Sequence, residues 1–410
     1  MLLGIKNRDQ TRLEHEEDIN EIKLLSKTLG ISVLEVIHHN LRKIHPSTFL
    51  SKEKASQVIE HAKAFECDNI IINAEISPSQ MKNLQNLAGY DIRILDRTGI
   101  IIDIFSVHAK TAESKTQVNL AKLQYMLPRL SKQWSHLERQ MGGTGTRGGP
   151  GEKQIEIDRR LIRKDINKLQ KDLKKIHKNR LIQNQNRSNI FQVSLVGYTN
   201  AGKSSLMNLL SDADVYVKNE LFATLDSTTR VLDLDISVKA LISDTVGFIQ
   251  KLPHELVASF RSTLSDIENS HLILKVVDSN YTNINMHIST LENTIKEIDC
   301  KNIPTCYVFN KIDLINSDHL KALMKRFPKS IFTSASKEIG VGRLKAFIAE
   351  TASKNYINET ITVSYSNLKI LDEIYKTVDV LDRKDSEEHI IIKARGSKEN
   401  INKIFAKLKT

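Results

Sequence analysis

In the middle of the chain, Leu120, Leu123, Leu127, Leu130, Trp134 and Leu137 step alternately three and four positions apart, the heptad spacing of a helical seam. After a glycine-rich break, Ile155, Ile162, Ile166, Leu169, Leu173 and Ile176 continue in the same rhythm. Two such helices predict an antiparallel hairpin in which each arm covers the other's apolar stripe, with Pro128 placed to kink the first arm. Upstream, DINEIKLLSKTLG and KASQVIEHAKAF have helical spacing, and SPSQMKNLQNL (77–87) opens with a Ser-Pro helix start. NIIINA (69–74), DIRILD (91–96) and IIIDIF (100–105) are β-branched apolar runs of the kind strands use. Residues 1–110 therefore read as a small α/β domain and 111–190 as the helical hairpin.

Across 191–356 strands and helices alternate as in a doubly wound sheet. QVSLVG (192–197) runs into a loop followed by the helical KSSLMNLLS. ALISDTVG (240–247), LILKVVD (272–278), TCYVFNKID (305–313) and SIFTSAS (330–336) are further buried strands. Each ends in polar motif residues, and ligands on open α/β sheets sit beyond the carboxyl ends of strands. The tail, 357–410, reads strand (TITVSY), helix (SNLKILDEIYKTV), strand (HIIIKA), helix (ENINKIFAKL), a small appended α/β unit.

Charge changes the picture of the hairpin. The 410 residues carry 60 Lys and Arg against 49 Asp and Glu, a net +11. Residues 111–190 alone hold 18 against 7, so this segment carries the whole excess and points to an acidic partner. Cys67, Cys300 and Cys306 form no CxxC pair, and His38, His39, His45, His61 and His108 are scattered, so neither a disulfide framework nor a zinc site is expected. The N-terminus turns charged after five residues, and no run approaches the ~18 apolar residues of a membrane span. A cytoplasmic, monomeric protein is the expectation.

The stretch Gly197, Tyr198, Thr199, Asn200, Ala201, Gly202, Lys203, Ser204 matches G-x-x-x-x-G-K-[ST] between a strand and a helix. Such a loop curls its N–H groups around phosphates at a helix N-terminus. Lys203 is the group to reach the β- and γ-phosphates, and the Ser204 hydroxyl is a Mg²⁺ ligand. Asn310, Lys311, Ile312 and Asp313 form NKID at a strand end. There Asp313 can accept from both the N1–H and the 2-amino group of guanine, Asn310 can contact the other edge, and the Lys311 stem can cover the ring. Adenine lacks the 2-amino donor, which favours GTP. Ser334, Ala335 and Ser336 end the last strand and offer an N–H to guanine O6. Asp244, Thr245, Val246 and Gly247 spell DTVG, where Asp244 can hold Mg²⁺ through water and the Gly247 N–H can bind the γ-phosphate. Phe222, Ala223, Thr224, Leu225 and Asp226 open a polar stretch suited to a mobile switch, in which Thr224, Thr228 and Thr229 compete as the second Mg²⁺ hydroxyl. Phe248 stands where many GTPases place a water-orienting Gln, so intrinsic hydrolysis is expected to be slow.

The set GYTNAGKSS, FATLDSTTR, DTVGFIQKLP and NKID resembles the HflX family of translation-factor-class GTPases. DRTGIIIDIF (96–105), WSHLERQMGGTGTRGGPGEKQIEIDRRLIR (134–163) and PHELVASFRSTL (253–264) extend the resemblance over nearly the whole chain. It implies a GTPase that binds the large ribosomal subunit and its rRNA, splits stalled or idle ribosomes notably under stress, and is stimulated by the ribosome. It also favours Thr224 over Thr228 as the Mg²⁺ ligand, so Lys203, Thr224 and Gly247 form the implied catalytic set. Ser227 stands where the family has Pro in its LDPTTR motif, and Lys153 where it has Thr. Asn200 is similar to the Asn of GTPases that use K⁺ beside Mg²⁺.

One further motif needs weighing. Gly143, Gly145 and Gly148 spell the dinucleotide pattern G-x-G-x-x-G, but a helical stretch precedes them and a charged helix follows, where that pattern needs a strand and a βαβ unit. The segment reads instead as a backbone approach to RNA, with Arg139, Arg147, Lys153, Arg159 and Arg160 beside it. Three functions follow: a ribosome-splitting GTPase, a GTP-dependent accessory factor for RNA modification or processing, and a nucleotide-switched binding module.

Overall fold

The computed structural model describes residues 1–130, 151–185, 190–211, 222, 228–232, 234, 240–245, 247, 267–281, 283–297, 300, 303–354 and 356–408. The chain divides into two compact units, one built from Met1–Ile182 with Lys218–Asp226 and Gln250–Ser262, the other from the remainder.

The first unit holds a parallel sheet in the order β2-β1-β3-β4, made by β1 (Leu2–Lys6), β2 (Val36–Asn40), β3 (Asn69–Ile72) and β4 (Arg93–Asp96). Parallel pairing forces helical crossovers, supplied by α1 (Arg12–Thr28), α2 (Lys52–Ala64) and α3 (Pro78–Ala88). The chain's turn signals become caps: Thr11 and Ser77 each close a capping box with the Glu14 or Gln80 side chain.

The run IIIDIF is not a strand. It lies inside α4 (Arg97–His108), which Asp96 caps by accepting the Gly99 N–H at 2.7 Å. Ile100, Ile101, Ile102 and Ile104 are all buried, so this helix is apolar nearly all round and shows no amphipathic period to read. Its first residues are held by buried polar partners. The Arg97 guanidinium pairs with Glu21 and donates to Asn73 Oδ1 at 3.1 Å. Asp96 accepts from the Tyr125 hydroxyl at 2.7 Å, with Arg129 at 3.5 Å.

Tyr125 and Arg129 belong to the root of the first helical arm, α5 (Ala112–Met126) and a single 3₁₀ turn, Leu127–Arg129. Pro128 lies in that turn, directly after α5 ends, and the continuation of the arm past Leu130 lies outside the described residues. Leu120, Leu130, Ile162 and Ile166 bury against one another, flanked by Leu123, Leu127, Leu169 and Leu173, so the seam read from spacing is the contact between α5 and α6 (Gly151–Gln185). Trp134, Leu137 and residues 139–150 of the glycine loop lie outside the described residues.

The second unit carries a six-stranded sheet in the order β10-β9-β8-β5-β7-β6. Its strands are β5 (Phe191–Gly197), β6 (Thr228–Leu232), β7 (Ala240–Asp244), β8 (Leu272–Asp278), β9 (Thr305–Asn310) and β10 (Ile331–Phe332). All neighbours are parallel except β6, which runs antiparallel to β7. Helices α7 (Lys203–Leu210), α8 (Ile284–Glu297), α9 (Ser317–Arg326) and α10 (Val341–Ser353) contribute Leu206, Leu210, Leu291, Leu323 and Leu344 to two buried clusters. The polar stretch expected to be a switch is thus, from Thr228 onward, an edge strand, and SIFTSAS shortens to Ile331–Phe332. Residues 356–408 form an antiparallel sheet β11-β13-β12 with α11 (Lys369–Thr377) and α12 (Lys398–Leu408). There β11 is Tyr356–Ser364, β12 Asp379–Asp385 and β13 His389–Ser397. The strand β12 is additional to the order read from the sequence. The three cysteines are buried and free, and no described helix is long and apolar enough to cross a membrane.

Candidate nucleotide-binding site

The loop Gly197–Ser204 joins the carboxyl end of the central strand β5 to α7. Gly202 has φ +90, and a Cβ there would run into the Asn310 carboxamide, so the loop needs glycine for backbone and for space. Asn200, at φ 62, takes the second left-handed position, which Asn tolerates best after glycine. Lys203, only 6% exposed, folds back to donate to the Gly197 and Tyr198 carbonyls at 3.1 and 2.9 Å. Burial pushes its ammonium pKa below the ordinary lysine range, and the Asp244 carboxylate opposes that shift.

DTVG closes on this loop from the neighbouring strand. Ser204 Oγ donates to an Asp244 carboxylate oxygen at 2.5 Å, with Asp244 fully buried. Thr245 Oγ1 donates to the Leu195 carbonyl at 2.8 Å and so fixes β7 beside β5. Gly247 lies so near Thr199 that a Cβ would sit 2.8 Å from its Cα. Ser204, in the first turn of α7, and Asp244, at the end of β7, form an all-oxygen donor pair that suits a hard divalent cation, so the two fit Mg²⁺.

The third wall comes from β9 and β10. Asn310, 1% exposed, donates from Nδ2 to the Ala201 carbonyl at 2.9 Å. Its Oδ1 accepts the Ala335 N–H at 3.0 Å and the Thr333 hydroxyl at 3.3 Å. Asn310 is thereby a tie between phosphate loop and strap, with its amide committed to protein groups. Asp313 is exposed, and the Ser334 and Ser336 hydroxyls donate to its two oxygens at 2.5 and 3.0 Å. Those hydroxyls hold its carboxyl below the usual carboxylate range. Lys311, at φ 62, pairs with Asp278 at 2.7 Å.

Three segments of the chain match family models, described as GTP-binding GTPase N-terminal (residues 16–106), GTP-binding GTPase Middle Region (108–187) and 50S ribosome-binding GTPase (192–311). A GTPase HflX of Escherichia coli is 37% identical over 88% of this chain and 85% of its own length. The GTPase HflX of Magnetococcus marinus is also 37% identical, over 90% and 86%, and that of Alkalihalophilus pseudofirmus is 44% identical over 73% and 71%. The chain belongs to the HflX family. It is a GTPase.

Within this HflX-family chain, the phosphate loop, DTVG and NKID are brought to the carboxyl ends of β5, β7 and β9, with Ser334–Ser336 beside them. Thr228 and Thr229 sit in β6, where Thr228 pairs with Asp244 and Thr229 Oγ1 meets Ser243 Oγ at 2.9 Å. Phe222 belongs to the first unit, where its ring packs edge-on against Phe105 at 4.7 Å. Ala223, Thr224, Leu225, Asp226, Val246 and Phe248 lie outside the described residues.

No motif pointed to His287, yet it touches the loop most intimately. Its ring stacks on Tyr198 with centroids 3.7 Å apart and planes 7° from parallel, and Tyr281 covers it at 3.7 Å. It is 4% exposed, neither ring nitrogen has a hydrogen-bond partner among the described residues, and burial pushes its pKa down to about 4. In sequence it is one polar position of an amphipathic helix, and only the tertiary packing gives it a role.

Proposed function

We propose that this GTPase binds the large ribosomal subunit and, in its GTP state, splits or rescues stalled or idle ribosomes under stress. The observation that carries this reading is the concentration of the chain's entire net charge in the helical hairpin, joined directly to a nucleotide-dependent domain. Such a segment suits rRNA, whose phosphates dominate the affinity of proteins for nucleic acid. Arg160 and, further along the same helix, Lys164, Lys171, Lys175 and Lys178 are exposed, while Ile162 and Ile166 face the other arm. Arg159 donates to the Leu130 carbonyl at 3.4 Å and so also braces the hairpin. The loop residues Arg139, Gly143, Gly145, Arg147 and Gly148, with Lys153, form the RNA-contacting tip in this reading.

In the same reading Lys203 leaves its carbonyl cage for the β- and γ-phosphates, whose negative charge favours its ammonium form. Ser204 and Thr224 would hold Mg²⁺ with Asp244 beside them, and the Gly247 N–H holds the γ-phosphate. When bound, the cation would neutralise charge developing on the transferred phosphoryl. Asp313 selects guanine, Asn310 shapes the cradle, and Asn200 recruits K⁺, so turnover is faster in K⁺ than in Na⁺.

Light scattering from idle ribosomes tests the splitting step. Addition of protein with GTP is expected to lower the scattering, and addition with GDP to leave it unchanged. Scattering that stays constant with GTP overturns the splitting role.

A further inference from the structure

Beyond the nucleotide site and the hairpin, one feature of the N-terminal sheet is built like a ligand site. The pairing of β1 with β2 runs in register from Leu2↔Val36 to Lys6↔Asn40, and the Leu41 N–H extends it by donating to the Lys6 carbonyl at 2.9 Å. Beyond that point the two chains part. One turns at Asn7, whose carbonyl accepts the Gln10 N–H at 3.2 Å, and enters the capping box of α1. A cleft of about 470 Å³ opens between the parting ends, lined by Lys6, Asn7, Arg8, Asn40, Leu41 and Arg42.

The ends of the two strands supply the lips. Lys6 lies beside Asn40, the last paired position, and Arg8 and Arg42 follow two residues beyond it, Arg8 within the turn that begins at Asn7. The result is three cations and two carboxamides with no carboxylate among the lining residues. Among the described residues, Lys6, Arg8 and Arg42 make no ion pair; Arg8 and Arg42 are exposed and Lys6 half-buried. Every lining polar side chain can donate a hydrogen bond, which suits an oxyanion. The place is also where open α/β sheets bind ligands, outside the carboxyl ends of their strands. No aromatic ring lines the cleft to stack a base, and no acid to accept from a ribose hydroxyl. That chemistry favours a chain of phosphodiesters over a free nucleotide.

We infer that this cleft is a second RNA-backbone site, contacted through Lys6, Arg8 and Arg42 and separate from both the GTP site and the glycine loop. The inference rests on the reading of the protein as an RNA-binding GTPase. It adds an anchor in the N-terminal sheet, so that the hairpin is not the sole holder of RNA.

The test uses the full-length chain, a fluorescein-labelled 20-nucleotide oligouridylate, and the triple variant Lys6→Ala/Arg8→Ala/Arg42→Ala. Each phosphate neutralised on a single strand contributes about 0.7 to the slope of log affinity against log salt, so the variant is expected to lose about 2 from that slope. Its GDP affinity and melting temperature are expected to stay close to the wild type, because Arg8 and Arg42 are exposed, Lys6 is only half-buried and none of the three makes an ion pair among the described residues. An unchanged slope overturns the inference. So does competition in which inorganic phosphate or ATP, at concentrations that leave the GTP site undisturbed, displaces the RNA from the wild type but not from the variant, since the cleft then holds free phosphate compounds. If the wild type binds neither the oligouridylate nor large ribosomal subunits, the underlying reading fails as well. If it binds both and the variant is indistinguishable, only the second site fails.

Discussion

Substituting His287 with Phe should make the GTPase domain more resistant to acid while leaving its stability near neutral pH almost unchanged. The imidazole lies between two tyrosine rings, both nitrogens lack partners among the described residues, and burial pushes its pKa from 6.5 down to about 4. A folded-state pKa below the unfolded value means that the unfolded chain binds the proton first. The stability contributed by a neutral His287 is therefore complete above about pH 6.5, falls as the pH drops below that, and is fully lost below about pH 4. Working the two values through proton linkage gives about 2 kcal/mol lost by pH 5, and a limit of about 3 kcal/mol at lower pH. Phe keeps a flat ring in the stack and removes the titration. Hydrogen exchange of the β5 amides, corrected for intrinsic rates, reports the opening free energy of this sheet in place. Between pH 7.5 and 5 the wild-type value should drop by about 2 kcal/mol more than that of His287→Phe. Parallel curves for the two proteins would refute the claim that the stack holds an uncharged imidazole.

The other predictions concern the site and the hairpin. Asn310→Ala removes the tie to Ala201 and leaves the Ala335 N–H without its acceptor, a loss on the order of 1–3 kcal/mol. Titration with labelled GDP and IDP should show both weakened by the same factor, roughly 5- to 150-fold; a loss confined to one base would place Asn310 on the base edge instead. Asp313→Asn should lower GTP affinity at least 100-fold and raise XTP affinity, because the new amide donates where guanine also donates and xanthine accepts; equal losses for both nucleotides would exclude Asp313 from base selection. Arg147→Ala combined with a shortened glycine loop should spare GTP affinity while weakening large-subunit binding and ribosome stimulation, measured by sedimentation and by phosphate release. A collapse of GTP affinity in that variant would contradict the separation of the two tasks.

Much of this architecture could be read before any coordinates, and the misses share a physical cause. The strands β5, β7, β8 and β9 are buried on both faces and so appear as continuous apolar runs ending in motif residues. The hairpin seam survived because the two arms meet along one continuous stripe, which imposes a heptad period on both. What escaped was structure set by neighbours. The edge strands β6 and β12, TTRVL and DVLDRKD, are largely exposed and polar, so they carry no hydrophobic signal. IIIDIF has strand propensity, but the Asp96 cap and burial on every side make it a helix. At the nucleotide site, residue types and spacing identified the loop, DTVG and NKID, whereas the inward commitment of Asn310 and the stack on Tyr198 depend on contacts across more than eighty residues of sequence.

Sedimentation of the full-length protein with purified large ribosomal subunits through sucrose is the most direct test of a hairpin whose hold on RNA is set by nucleotide. With a non-hydrolysable GTP analogue the protein should travel with the subunit, and with GDP it should remain largely at the top of the gradient. A protein that stays at the top in both, or migrates equally in both, contradicts the account.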